Sequence, residues 1–325
     1  MKNLSTLKCL LVTIYGLLAT ASQAQNYPQN PIKIIVPYSA GGPTDAAARI
    51  FAERLADKLR QPVIIQTLLG GGGLVGTEVA ARAAPDGYTL YFGANSMAIF
   101  PFVKPADSSI TFNATDFAAI GGIATSAHVL LASKNSGITS MSDLVQKAKT
   151  ASEAVSYGSA GAGGSTHLPL AFFEKDAEIK LLHVPYKGAA PAFVDLLASR
   201  IDLSTPGYSA ALNEPIQSGK VIALAVTSDK RLPFLANVPT WAESGYPNMV
   251  FPIWYALFGP KGTPPFVIER LSQEMKAMSA DPDYVKKLAA QGNVAEFVPP
   301  KELDELLARQ TVEMGKRIGA LNLKF

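Results

Sequence analysis

Cysteine is almost absent: Cys9 is the only one in 325 residues, and it sits inside the N-terminal apolar run. A chain that loses that run keeps no thiol, which excludes a disulfide framework, a cysteine nucleophile and a thiolate metal site. Histidine is nearly as scarce. His128, His167 and His183 are too far apart for a paired-ligand spacing such as H-x-x-x-H. No glycine loop ends in G-K-[ST], so nothing places a lysine on a triphosphate. After the N-terminus no segment holds the roughly 18 uninterrupted apolar residues of a membrane helix. Charge is balanced too, at 29 basic against 26 acidic side chains, which gives no electrostatic footprint for nucleic acid. The expectation is a protein that needs no metal or other cofactor and has no nucleic-acid partner.

What is present begins with an export layout. Lys2 and Lys8 precede the run "CLLVTIYGLLA", which leads into "TASQAQ". Eleven apolar residues are too few to span a bilayer, and Ser22 and Ala24 supply the small side chains that a signal peptidase requires. Residues 1–24 therefore read as a signal peptide cut after Ala24, with a periplasmic destination. Losing Lys2 and Lys8 leaves 27 basic and 26 acidic residues, a net charge of +1.

The remaining roughly 300 residues suffice for two units, each with its own core. Short β-branched runs alternate with amphipathic stretches: "IKIIVPY", "TDAAARIFAERLADKLR", "PVIIQT" and "TLYFGA" first. The same grammar returns through "AHVLLAS", "SDLVQKAKTA", "AVSYGS", "HLPLAFFEK", "IKLLHVPY", "APAFVDLLAS", "RIDLST" and "VIALAVTS". This alternation predicts an α/β protein of two lobes, each a mixed, mostly parallel sheet flanked by helices. Helical patterns also fill the C-terminus, from "PPFVIERLSQEMKAMSA" onward.

Three glycine clusters punctuate the pattern: Ser39–Asp45 "SAGGPTD", Gly70–Gly76 "GGGGLVG" and Gly158–His167 "GSAGAGGSTH". Each follows a predicted strand, and the first and third are expected to enter helices. There, free amides and the positive dipole end converge on one point, which suits an anion. The middle cluster matches G-x-G-x-x-G at Gly71, Gly73 and Gly76, but no acidic residue lies about 20 positions on to hold a ribose. It reads as a turn. A carboxylate fits the other two loops better than a phosphate chain, since Ser39, Thr44, Ser159, Ser165 and Thr166 add hydroxyls beside glycines that admit close approach.

Several residues keep two readings. Asp45 is either a ligand contact or a first-turn residue paired with Arg49. His167, two residues past Ser165, is a structural or ligand-lining histidine, or else half of a Ser165/His167 nucleophile pair, although no G-x-S-x-G elbow is present. Tyr186 and Tyr208 follow strand ends, where an open α/β sheet carries its cleft, and serve either as cleft wall or as packing. Trp254 lies in an apolar run as core, hinge or ligand contact.

Taken in order, "IKIIVPYSAGGPTDAAAR", "GGGGLVGTEVAARAAPDGYTL", "YGSAGAGGSTHL", "HVPYKGAAPAFVDLLASRIDL", "GKVIALAVTSDKRLPFLANVPTWAESGYP" and "WYALFGPKGTPP" resemble the solute receptors of tripartite tricarboxylate transporters, the Bug family. The resemblance implies a type II-like periplasmic binding protein, with residues 25–124 and 245–325 as lobe I and 125–244 as lobe II. It implies a small di-, tri- or aromatic carboxylate held between the lobes by a pincer. One jaw is Tyr38, Ser39, Ala40, Gly41, Gly42, Thr44 and Asp45; the other is Ser159, Gly161, Gly163, Gly164, Ser165, Thr166 and His167, with Asn95, Tyr186 and Tyr208 around them. It further implies a monomer that is not an enzyme and that delivers its cargo to the transporter's membrane subunits. Two other functions stay open, a sensing subunit for a membrane kinase and an exported Ser/His hydrolase. Gln66, Thr67, Leu68 and Leu69 replace the acidic-Asn-Arg pattern common in the family, and Tyr38 stands where Phe is usual. Both changes favour an aromatic or longer-chain acid over citrate.

Export is directly testable. N-terminal sequencing of the protein recovered from the periplasm should begin at Gln25; a mature chain starting at Met1 contradicts this reading.

Overall fold

The computed structural model describes residues 27–103 and 109–321; the expected signal peptide and its cleavage site lie outside the described residues. Two β-sheets organise the chain. In the first, β1 (Ile32–Val36) is central to a parallel trio with β2 (Val63–Thr67) and β3 (Thr89–Ala94). β1 is buried at Ile32, Ile34, Ile35 and Val36 because helices cover both of its faces, so its sequence is nearly continuous in apolar residues. The sheet continues through β10 (Pro252–Pro260), β4 (Phe117–Ala127) and β11 (Val294–Ala295), all paired antiparallel.

The second sheet has five strands, in the spatial order β7 (Leu182–Pro185), β6 (Ser156–Ser159), β8 (Leu203–Ser204), β5 (Val129–Ser133) and β9 (Val221–Val226). Here β6 pairs parallel with β7 and β8, while β5 pairs antiparallel with β8 and β9. Both sheets are therefore mixed, but neither is mostly parallel. The cause lies in the strands that carry the chain between sheets. β4 and β10 run side by side in opposite directions along their whole length, one leaving the first sheet and the other returning to it.

These two strands are the longest of the described residues and the least visible in sequence. "FAAIGGIATSA" has neither alternation nor β-branched density, yet all of it is buried except the half-buried Ala118 and Thr125. Gly121 and Gly122 explain its composition: a methyl on Gly122 would stand 2.8 Å from Val298 Cβ, and one on Gly121 3.0 Å from Phe297. Glycine lets the segment before the last helix lie directly on the strand.

Apart from Leu74–Ala81, the long helices follow the predicted amphipathic stretches. α1 (Pro43–Leu59), α2 (Leu74–Ala81), α3 (Met141–Thr150), α4 (Leu168–Asp176), α5 (Ala189–Leu197), α6 (Pro265–Ser279), α7 (Pro282–Ala290) and α8 (Pro300–Gly319) cover the sheets. In α1 the buried stripe is Ala47, Ala48, Phe51, Ala52, Leu55 and Leu59, with Ile50 only half-buried. Residues of α6 and α7, including Val267, Leu271, Tyr284 and Leu288, share one core with Ile32, Ile34 and Phe92. No helix among the described residues is long and apolar enough to cross a membrane.

The chain passes from the first sheet to the second at Ala127/His128 and comes back at Phe251/Pro252, since Ala127 still pairs with Pro252. Those positions lie a few residues beyond the expected Ala124 and Gly245. Side chains at this junction are tightly packed. Tyr208 is buried, stacks on Phe234, donates its hydroxyl to Asn213 at 2.5 Å and lies flat against Gly292. Trp254 is buried as well and donates Nε1–H to Gln310 at 2.6 Å. His128 is fully enclosed: its Nδ1 lies 3.1 Å from the Thr205 carbonyl, which only accepts, so Nδ1 carries the proton. Burial lowers its pKa from 6.5 to about 4.

Two outcomes follow at the junction. A methyl on Gly292 would fall 1.7 Å from Tyr208 Cδ1 at φ +76°, so Gly292→Ala should cost about 1–3 kcal/mol for overpacking and a similar strain cost, read in urea melts. For His128 the unfolded chain binds the proton more tightly than the folded one. Its contribution is complete above pH 6.5 and is lost as pH falls toward 4, on the order of 3 kcal/mol in all. His128→Asn, which keeps a donor for Thr205, should reduce the slope of stability against pH in that window; an unchanged slope would show that His128 titrates normally.

Candidate functional site

Helix starts dominate the face where the two sheets meet. α1, α2, α4 and α5 begin at Gly42, Gly73, His167 and Gly188, and none has a side-chain cap. By contrast, α3 and α7 are capped by Ser140 and Asp281, whose side chains accept from first-turn amides. An uncapped start leaves amides unsatisfied and the positive dipole end exposed. The middle glycine cluster thus enters a helix as well, contrary to the sequence expectation. Gly70 to Gly73 all have positive φ, a left-handed kink open to glycine that turns the chain from β2 into α2.

The first jaw is the Tyr38–Asp45 loop. Asp45 is 2% exposed and does what its helical reading requires: Oδ2 accepts from Arg49 Nε at 2.8 Å and from the Gly41 amide at 2.9 Å. The carboxylate therefore braces the loop. Gly41 adopts φ +77°, and Gly42 N–H donates to the Ser39 carbonyl at 3.2 Å. Tyr38 directs its hydroxyl inward to Ser96 Oγ at 2.5 Å, and burial pushes its pKa up to about 12. That hydroxyl is engaged within the protein while the ring remains part-exposed, touching the middle cluster at Gly73. Thr44 lies against the buried Tyr255 hydroxyl. Asn95 is buried next to Ser96 and donates Nδ2–H to the Pro252 carbonyl at 3.0 Å, on the returning crossing.

The second jaw, Ser159–His167, is shaped by its own side chains. Thr166 Oγ1 accepts from the Ala160 amide at 2.8 Å, and Thr205 Oγ1 donates to the Thr166 carbonyl at 2.7 Å. His167 Nδ1 accepts from the Gly163 amide at 3.0 Å. The Ser165/His167 pair considered from sequence does not form in this way. Instead Ser159 Oγ meets His183 Nε2 at 2.6 Å and stands 3.2 Å from the Gly161 amide. Gly164 N–H reaches the Gly161 carbonyl at 3.3 Å.

These loops meet across the two lobes through glycines. A methyl on Gly161 would stand 3.8 Å from Gly72 Cα, one on Gly188 3.3 Å from Ser39 Oγ, and one on Gly207 3.6 Å from Pro43 Cβ. Among the described residues the amides of Ser39, Ala40, Thr44, Asp45, Ala162, Ser165 and Thr166 have no protein partner, nor do the hydroxyls of Ser39 and Ser165. Tyr186 donates its hydroxyl to Asp195 at 2.8 Å and lies against Gly158, so it supports the second jaw from behind. Among the described residues no group of three or more His, Cys, Asp or Glu side chains is placed to hold a metal ion. Sequence reasoning did not place Ser96, His183, Gly72 or Gly188 at the site. Only Gly188 carried a local signal, a glycine between a strand end and a helix, the same arrangement as in the first jaw.

The profile described as "Tripartite tricarboxylate transporter family receptor" matches residues 47–323. The chain is 33% identical to the protein BugT of Bordetella pertussis over 302 residues, 92% of this chain and 91% of BugT. Its fold superposes on the periplasmic binding protein BugD with TM-score 0.84 and 31% identity, covering 92% of this chain and 99% of BugD. An adipate-bound protein of R. palustris also superposes with TM-score 0.84, at 27% identity, covering 90% of this chain and 98% of that one. The neighbours share the two-lobed fold of periplasmic binding proteins. This chain belongs to the tripartite tricarboxylate transporter receptor family, the Bug proteins.

Proposed function

We propose that the protein is an extracytoplasmic receptor that closes its two lobes on one small organic carboxylate and passes it to the membrane subunits of a tripartite transporter. The observation that carries this reading is the set of unpartnered amides on two opposed, uncapped helix starts. A carboxylate satisfies several such donors at once, and fixed donors gain from the partly dehydrated setting between lobes. The ligand-binding set is Ser39, Ala40, Thr44, Ser165 and Thr166 directly, with Gly41, Gly42, Asp45, Ser159, Gly161, Gly163, Gly164 and His167 holding the loops in shape. The lobes divide at the two strand crossings, where rotation of one sheet against the other involves the fewest connections.

The body of the acid meets an apolar wall in this reading. Leu69 is 56% exposed and Val75 43% exposed, both within a few residues of Gly72, and the Tyr38 ring lies against the same loop. A ligand covering those side chains gains apolar burial, which supports an aromatic or longer-chain acid.

A thermal-shift panel of benzoate, adipate, malate and citrate tests the class, since a ligand at 100 times its dissociation constant adds about 2.7 kcal/mol to stability. Benzoate or adipate should stabilise more than citrate, and no shift with any carboxylate contradicts the receptor reading. Calorimetry with the acid that binds then tests the pincer. Gly41 and Gly161 have φ +77° and +140°; a methyl on Gly41 meets nothing within 4 Å and one on Gly161 makes only ordinary contact with Gly72 Cα at 3.8 Å, so Gly41→Val and Gly161→Val act chiefly through backbone strain of about 1–3 kcal/mol and should each weaken binding. Gly72→Ala, at φ +65° and ψ +18°, lies near the left-handed minimum and should be milder. Wild-type affinity in both valine variants, or a loss confined to one jaw, overturns the two-jaw mechanism.

A further inference from the structure

Beneath the second jaw lies a cluster that ligand contact does not explain. The rings of His167 and His183 stack with centroids 4.0 Å apart and planes 25° from parallel, and Tyr157 stacks on His183 at 4.8 Å. The two imidazoles come from different elements: His167 immediately precedes α4, and His183 is on edge strand β7. Each reaches a different glycine of the jaw. His167 Nδ1 accepts the Gly163 amide at 3.0 Å. His183 Nε2 contacts Ser159 Oγ at 2.6 Å, and that oxygen stands 3.2 Å from the Gly161 amide and 3.1 Å from the Gly161 carbonyl.

Gly161 and Gly163 both sit at positive φ, +140° and +72°, where a glycine-rich loop has many alternatives of similar energy. Something outside the loop must choose among them. The contacts show what does: one imidazole occupies the Gly163 amide directly, the other reaches Gly161 through Ser159. The neighbouring amides of Ala162, Ser165 and Thr166 are left without protein partners. Gly161 is also the residue that meets Gly72 of the opposite lobe. A charged pair of rings at this spacing would repel, and burial keeps both neutral, with pKa values lowered to about 3 for His167 and about 4 for His183.

We infer that His167 and His183 are positioning residues for carboxylate binding: as a stacked pair of neutral imidazoles they hold Gly163 and Gly161, and so decide which amides of the second jaw face the ligand. This rests on the receptor reading, but it makes a demand that the reading does not. His167 must be the tautomer protonated on Nε2, because Nδ1 accepts a backbone N–H.

Two measurements test it. The first needs no ligand: long-range ¹H–¹⁵N spectra of the imidazoles at neutral pH should show His167 protonated at Nε2 and not at Nδ1. Protonation at Nδ1, or a doubly protonated ring, overturns the proposal. The second is calorimetric binding of adipate and benzoate to paired variants. His167→Ala and His183→Ala should weaken whichever acid binds by about tenfold to a hundredfold, the effect of losing a loop-setting hydrogen bond. His167→Asn, whose Oδ1 replaces Nδ1, and His183→Gln, whose amide replaces Nε2, should restore most of the loss. Wild-type affinity in the folded alanine variants, or polar variants as weak as the alanines, assigns the pair to packing alone and overturns the proposal. Where the alanine variants do not fold, retained affinity in His167→Asn and His183→Gln supports it and a full loss overturns it. Failure of the wild-type protein to bind any acid counts against the receptor reading, while the tautomer result still judges the histidines.

Discussion

An α-helix that begins without a side-chain cap has amide hydrogens that nothing in the helix can satisfy. Among the described residues several helices begin that way, and four of them, three at glycine and one at histidine, start from the loops where the two sheets face one another. Much of the site can be understood from that constraint. Exposed amides at a helix start are tolerated when water or an anion reaches them. Glycine keeps the approach open, and the strands ending at each loop fix where the amides lie. Side chains that elsewhere would cap the helix are committed to other tasks: Asp45 to bracing Gly41 and holding Arg49, Thr166 to the Ala160 amide, His167 to Gly163.

The absence of a strong cation from these loops has a physical counterpart in their construction. Arg49 projects from the second turn of α1, but its guanidinium is directed back to Asp45. The three histidines are held neutral by burial. In the proposed receptor, binding by neutral dipoles would avoid the desolvation cost of burying a guanidinium and leave affinity to the geometry of the loops. That is why so much of the local hydrogen bonding is spent on shaping backbone rather than on reaching outward. Tyr38 illustrates the point: it has a hydroxyl beside the first jaw, yet the bond goes inward to Ser96, next to the Asn95 that donates to the returning strand at Pro252. Thr205 joins the second jaw to the outgoing crossing in a similar way, accepting from His128 and donating to Thr166. Each jaw is thus tied by short chains of hydrogen bonds to one of the two strands that link the lobes.

The sequence determined the local elements, because helix and strand periodicity are properties of neighbouring residues. The stripe of α1, the parallel strands "IKIIV" and "TLYFGA", and the first and third glycine loops were all legible for that reason. So was the Asp45–Arg49 pair, which needs only one helical turn. The repeat of that alternation pointed to two lobes, and the family resemblance added the expected return of the C-terminal helices to the first. What only the tertiary structure decided involves residues brought together from far apart in the chain. β4 carried no strand signal because its glycines answer to Val298, about 175 positions later. Tyr208 could be cleft wall or packing until Gly292 was found against its ring, and Trp254 until Gln310 was found at its Nε1. The pairing of Ser159 with His183, and the stack of His183 on His167, depend on β6 and β7 lying in parallel register. Glycine loops have no side chains through which a sequence could declare their shape, so that shape was set by the groups that tertiary packing brings beneath them.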